Sequence, residues 1–125
     1  MAEKIYTETA PAAIGPYSQA VKANGVVYTS GQIAIVPATG NIEASDIQGQ
    51  TEQVMKNLSE VLKAAGTDFS AVVKTTCFLA DIADFGVFNE IYGKYITGKP
   101  ARSCVAVKDL PKGALVEVEV IAVTG

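Results

Sequence analysis

Arg102 opens an apolar run, Arg102-Ser103-Cys104-Val105-Ala106-Val107, behind Lys99-Pro100-Ala101. In a strand, Arg102, Cys104 and Ala106 share one face while Ser103, Val105 and Val107 share the other. The planar guanidinium fork matches a carboxylate, although the same pattern also fits a salt-bridged surface arginine. Glu117 and Glu119 alternate with valines in Val116-Glu117-Val118-Glu119-Val120. In a cleft, Glu117 can take a proton from water; on an open face it is a solvated carboxylate. If the two strands were antiparallel neighbours, Arg102 and one glutamate would lie close together, in a register the sequence leaves open. Tyr17 follows Gly15-Pro16, a stiff turn that aims one side chain. Ser30-Gly31 closes an apolar strand, where glycine permits close approach by another group. Asn89 falls inside a helical stretch, where a solvent-facing role is the ordinary one.

What is missing narrows this chemistry further. The 125 residues include no histidine, which excludes Ser–His and Cys–His nucleophiles and removes the commonest metal ligand. Acid–base work falls to Asp, Glu, Tyr, Lys, Cys or water. Cys77 and Cys104 lie in apolar runs and read as two buried, unclustered, reduced thiols, a usage that suits the cytosol. The glycines form no phosphate-binding loop, so neither a metal nor an organic cofactor is expected. Ten basic and thirteen acidic residues give a net charge of -3, which does not favour a nucleic-acid partner. No apolar run approaches the roughly 20 residues of a membrane span, and MAEKIYTETA lacks a signal-peptide core. A cytoplasmic location is the expectation.

The elements that must position these residues alternate along one expected domain, residues 1–125. Residues 3–7 form a short expected strand. Strands over 18–23 and 26–33 flank Asn24-Gly25, a hairpin turn of two residues that tolerate positive φ. Pro37 to Gly40 reads as another turn. Ile47, Thr51, Val54, Leu58, Val61, Leu62 and Ala65 recur at steps of three or four and predict a helix over 47–65, closed by Gly66. Val72 to Ala80 reads as a strand. A second helix is predicted over 84–96 with Asp84 as its N-cap. Strands over 101–107 and 116–123 follow. The order βββ-α-β-α-ββ predicts a two-layer α+β domain, with two helices on one face of about six strands. The apolar residues left on the other face predict self-association.

Taken together, Gly15-Pro16-Tyr17-Ser18-Gln19-Ala20, Ser30-Gly31-Gln32-Ile33, Pro37 to Gly40, Asn57-Leu58 with Gly66, Val73-Lys74-Thr75-Thr76, Asn89 with Tyr92, Pro100 to Ser103, Leu110-Pro111 and Glu117-Val118-Glu119 resemble the RidA/YjgF family of reactive-intermediate deaminases. The resemblance runs through essentially the whole chain in order. It implies a chorismate-mutase-like α+β fold, a homotrimer and clefts between subunits. It implies hydrolysis of 2-aminoacrylate, 2-iminobutanoate and related enamine or imine acids, released by pyridoxal-phosphate enzymes, to 2-keto acids and ammonia. By motif match, Arg102 would hold the substrate carboxylate and Glu117 would orient or activate water. Tyr17, Ser30, Gly31 and Asn89 would line the cleft, and Cys104 would contribute mainly backbone. The chain departs from the family pattern at Ile96, where phenylalanine commonly follows the second-helix tyrosine, and in a short loop to Pro100. Both bear on the rim of the cleft and on substrate size.

The residues suit that reaction. A protonated imine needs a placed water, a handle and a proton acceptor. An arginine–carboxylate contact supplies the handle at about 1.5–3 kcal/mol, and a carboxylate supplies the acceptor. The rival class is a non-catalytic binder of small carboxylates; translation inhibitors and ribonucleases are also described among relatives. The charge balance and the missing histidine disfavour the ribonuclease.

Overall fold

The computed structural model describes residues 2–124. Strands β1 (Glu3–Ile5), β2 (Ala20–Ala23) and β3 (Val26–Thr29) form an antiparallel meander. Asn24 and Gly25 turn β2 into β3 at φ 53° and 76°, the left-handed torsions that make Asn-Gly a hairpin signal. The meander joins β8 (Val116–Val123), β6 (Val72–Leu79) and β7 (Ala101–Ala106) in one six-stranded sheet of order β1-β2-β3-β8-β6-β7. Helices α1 (Ile47–Ala64) and α2 (Phe85–Tyr95) pack on one face of it. This is the expected two-layer α+β arrangement. Among the described residues no helix is long and apolar enough to cross a membrane.

The core follows from two periodicities meeting. Val54, Met55, Leu58, Val61 and Leu62 form the apolar stripe of α1, and Val116, Val118, Val120 and Ala122 form the alternating inner face of β8; all are buried. Truncating one such side chain costs about 2–5 kcal/mol. The stripe starts cleanly because the Asp46 carboxylate accepts from the Gly49 N–H at 2.8 Å. It stops at Ala64, after which Gly66 takes φ 83°.

Several expectations need correction. Strand β3 ends at Thr29 and not at Ile33. From the Tyr28–Ile121 pair to the Gln32–Val118 pair, β3 advances four residues while β8 advances three. The extra residue is a bulge that breaks the ladder at Thr29–Gly31. Asp84 does not cap α2; its torsions are φ -82° and ψ -2° and it makes no capping bond. A 3-10 turn, Ile82–Asp84, precedes the helix, and Asp81 caps that turn by accepting from the Ala83 N–H at 2.9 Å. The turn Pro37 to Gly40 belongs to a small ribbon, β4 (Ile35–Val36) with β5 (Asn41–Ile42), too short to show alternation in sequence. Buried Asn57 of α1 fastens its start, donating to the Ile33 and Ile35 carbonyls at 3.1 and 2.9 Å.

Two further corrections touch the candidate site. Strands β7 and β8 are not neighbours, because β6 lies between them, parallel to β7 and antiparallel to β8. The two cysteines are not separate either: Cys77 and Cys104 are register partners on β6 and β7. Both thiols are free, and Cys104 is only half-buried because β7 is the edge strand. The face of the sheet opposite the helices carries Tyr28, Val105 and Val123, each between 42% and 48% exposed.

Candidate functional site

Arg102 stands at the start of the edge strand, where one side of the sheet is open. The chain reaches it through a tight turn in which Lys99 takes φ 53° and Pro100 follows. Helix α2 passes over it and presents Phe85, Asn89 and Tyr92, spaced by four and three residues and therefore on one face. Arg102 Nη1 donates to Asn89 Oδ1 at 2.6 Å. The guanidinium carbon lies 4.9 Å from the centroid of the Tyr92 ring and 5.4 Å from that of Phe85. The Tyr92 and Thr75 hydroxyls are hydrogen-bonded at 2.8 Å. None of these partners carries a charge, so they orient the guanidinium without neutralising it. A groove of about 470 Å³ opens beside it, walled by Asn89, Tyr92, Ile96, Lys99 and Pro100. Ile96 thus forms part of the groove wall.

The titration shifts here keep the neighbours neutral. Burial pushes the Tyr92 phenol up, partly offset by Thr75 and Arg102. Burial also raises the Cys104 thiol, against the pull of Arg102. Desolvation pushes Cys77 up to about 12. Neither cysteine is poised as a thiolate, the form a nucleophile requires.

Glu117 lies elsewhere. Its register partner is Phe78, whose partner in turn is Val105, so Glu117 is on the sheet face turned away from the helices. Its carboxylate occupies the place where a side chain on Gly31 would begin; a β-carbon there would meet Glu117 Cδ at 2.8 Å and Cγ at 3.0 Å. Gly31 belongs to the bulge, so the irregular ladder and the missing side chain together make room for the carboxylate. Burial raises the pKa of Glu117, and the like charge of Glu119 adds to the shift. Ser30 Oγ donates to the Ser18 carbonyl at 2.6 Å, tying the bulge to the segment that carries Tyr17. Tyr17 is 52% exposed, and its hydroxyl accepts from the Ile14 N–H at 3.4 Å.

The candidate residues therefore fall into two groups. Arg102, Asn89 and Cys104 meet under α2, whereas Glu117, Gly31, Ser30 and Tyr17 gather around the bulge. Sequence reasoning did not single out Tyr92, Phe85 and Thr75 as surroundings of Arg102. The spacing of Phe85, Asn89 and Tyr92 was a usable signal, since it places three planar groups in a row on one helix face.

Comparison with known proteins identifies the family. The family model described as Endoribonuclease L-PSP matches residues 7–124. The chain is 54% identical over 121 residues to Reactive Intermediate Deaminase A, chloroplastic, of Arabidopsis thaliana, covering 96% of this chain and 65% of that protein. It is 52% identical over 122 residues to 2-iminobutanoate/2-iminopropanoate deaminase of Mus musculus, covering 97% of this chain and 90% of that one. Among solved structures, YyfA of the Rid protein family from Yersinia pestis superposes with a TM-score of 0.96 at 52% identity, covering 99% and 100% of the two chains. By sequence along nearly its whole length and by fold, the chain belongs to the RidA/YjgF family, the family that the Endoribonuclease L-PSP model describes.

Proposed function

We propose that the protein is an imine deaminase that hydrolyses 2-iminobutanoate, 2-iminopropanoate and their enamine forms to 2-keto acids and ammonia. The observation that carries this reading is the Arg102 guanidinium, held by the uncharged side chains of Asn89, Tyr92 and Phe85 at the side of an open groove. Identities of 52–54% to proteins named as deaminases of this class support it.

The chemistry divides between the two groups of residues. Arg102 takes the substrate carboxylate in a charge-assisted, two-pronged contact. Asn89, which already accepts from the guanidinium, fixes the plane of that fork. Water adds to the protonated imine carbon, and Glu117 accepts the proton that water loses. Glu117 then returns that proton to the amino group, and the carbinolamine collapses: the C–N bond breaks as the hydroxyl gives its proton to Glu117 and becomes the carbonyl, and ammonia leaves. A carboxylate whose pKa is raised by burial is a better match to this task than a fully solvated one. Neither thiol takes part.

In this reading the working unit is a homotrimer with its sites between copies. Arg102, Asn89 and Cys104 come from one copy; Glu117, Gly31, Ser30 and Tyr17 come from the next. The opposite-face positions of Arg102 and Glu117 in one sheet support this, as do exposed Tyr28, Val105 and Val123 on the same face as Glu117. The two free thiols suit a cytoplasmic setting. The test couples the purified protein to a dehydratase that releases 2-iminobutanoate and times the appearance of 2-oxobutanoate and ammonia. Faster keto-acid formation than in the dehydratase-only reaction is expected. Equal rates, with 2-oxobutanoate still binding in calorimetry, would assign a carboxylate-binding role in place of catalysis.

A further inference from the structure

We infer that Tyr92 is a positioning residue: its ring, locked by the Thr75 hydroxyl, holds the Arg102 guanidinium in the plane that receives the carboxylate. The inference rests on the proposed role of Arg102 and extends it to two residues that act through it.

Thr75 and Arg102 are register partners on β6 and β7. One row of the sheet therefore carries both the arginine and the hydroxyl that fixes the ring above it. Thr75 is fully buried and Tyr92 is 6% exposed, so their 2.8 Å hydrogen bond is shielded from water. A shielded bond of this kind cannot be exchanged for one to solvent without opening the core. The ring, so pinned, lies 4.9 Å from the guanidinium carbon. A cation over an aromatic face is attracted by its quadrupole, and the attraction grows as water is excluded. Asn89, three residues earlier on the same helix face, takes one N–H of the fork at 2.6 Å. The ring restrains motion out of the guanidinium plane, and the amide restrains rotation within it. An arginine carries several rotatable bonds, and freezing them in advance spares that entropy when the carboxylate binds. The Thr75–Tyr92 pair thus acts on the substrate through Arg102.

Arg102 is the chain's only arginine, so its Nε–Hε group provides a single nuclear magnetic resonance signal. The experiment compares wild type, Tyr92→Phe, Tyr92→Leu and Thr75→Val with Tyr92→Phe, each also in an Arg102→Ala background for kinetics. Tyr92→Leu should lower kcat/KM by about 5- to 30-fold when Arg102 is present. In the Arg102→Ala background the same change should cost less than about twofold, because there is no guanidinium left to position. Tyr92→Phe and the double variant keep the ring face and should lose less than Tyr92→Leu. 15N relaxation of the Arg102 Nε–Hε group should show more motion in Tyr92→Leu than in wild type. Equal losses in both backgrounds, or unchanged Nε–Hε motion in folded Tyr92→Leu, overturns the positioning role and leaves Tyr92 as core packing. Wild type without turnover overturns the deaminase reading alone; the relaxation measurement still decides the role of Tyr92.

Discussion

In the proposed mechanism Arg102 binds the carboxylate in the ground and transition states alike and also fixes the imine carbon against the attacking water, so its removal should raise KM through lost binding and lower kcat through lost orientation. Arg102→Ala should reduce kcat/KM by at least ~10²-fold, the equivalent of ~2.7 kcal/mol. Arg102→Lys keeps the charge but loses the planar fork that Asn89 and the two rings orient, so it should recover only part of that loss. Steady-state kinetics on correctly assembled variants checks both; near wild-type kcat/KM in Arg102→Ala means the site is misassigned. Glu117 has a different signature, because its pKa is raised by burial and by Glu119. As the proposed base it would work in the deprotonated form, so kcat should climb with pH through that raised value. Glu117→Gln should lose about 10²–10⁴-fold in kcat, and the acid limb of the pH profile should vanish with it. The same shift acts on stability. Between the unfolded and folded pKa values the native state holds more protons than the unfolded chain, so Glu117 lowers stability as pH rises through that window. Glu117→Gln should therefore raise Tm at neutral pH and lose this advantage below the ordinary carboxylate range. A Tm gain that persists unchanged in acid would count against the burial shift.

At the scale of elements, the bulge between β3 and β8 is what sets the Glu117 carboxylate in place. The extra residue opens the ladder, and Gly31 supplies the missing side-chain volume. A methyl group at position 31 would collide with the end of a flexible side chain and not with backbone. Gly31→Ala should accordingly leave the fold intact but displace the carboxylate, lowering kcat by about 10- to 10²-fold. Circular dichroism and kinetics on the one variant separate these effects, and full activity would show that Glu117 needs no such seat. Helix α2 is the corresponding element for Arg102. Its Phe85, Asn89 and Tyr92 face the guanidinium, while Phe88 and Ile91 turn into buried surroundings. One short helix thus packs into the core and also holds the Arg102 guanidinium.

At the scale of the whole molecule, Arg102 and Glu117 lie on opposite faces of one sheet, so the proposed reaction, which uses both, needs a site shared between copies. Arg102→Ala and Glu117→Gln copies, each strongly impaired alone, can then rescue one another. In a randomly mixed trimer, about a quarter of the sites should combine an intact arginine with an intact glutamate. Unfolding and refolding the two variants together should restore activity toward that fraction, with a trimer mass in light scattering. No gain over the separate variants would mean that each chain works within its own boundaries.

Local patterns in the sequence were enough to identify the α1 stripe, the Asn24-Gly25 hairpin, the alternation of Glu117 with its valines and the order of the two helices and the main-sheet strands, but not the β4–β5 ribbon. Each of these depends on residues a few positions apart, whose periodicity or torsional preference acts before the chain is folded. Arg102 and Glu117 also stood out early, as charged groups in otherwise apolar strands. Tertiary structure decided what joins them. The insertion of β6 between β7 and β8 separated a pair that adjacency in sequence had suggested. The bulge shortened β3, and the 3-10 turn moved the capping aspartate from Asp84 to Asp81. The same pairing of β6 with β7 brought Cys77 beside Cys104 and Thr75 beside Arg102. Register and strand order are settled by which apolar faces can be buried together across the whole sheet, a long-range outcome that no short window of residues contains.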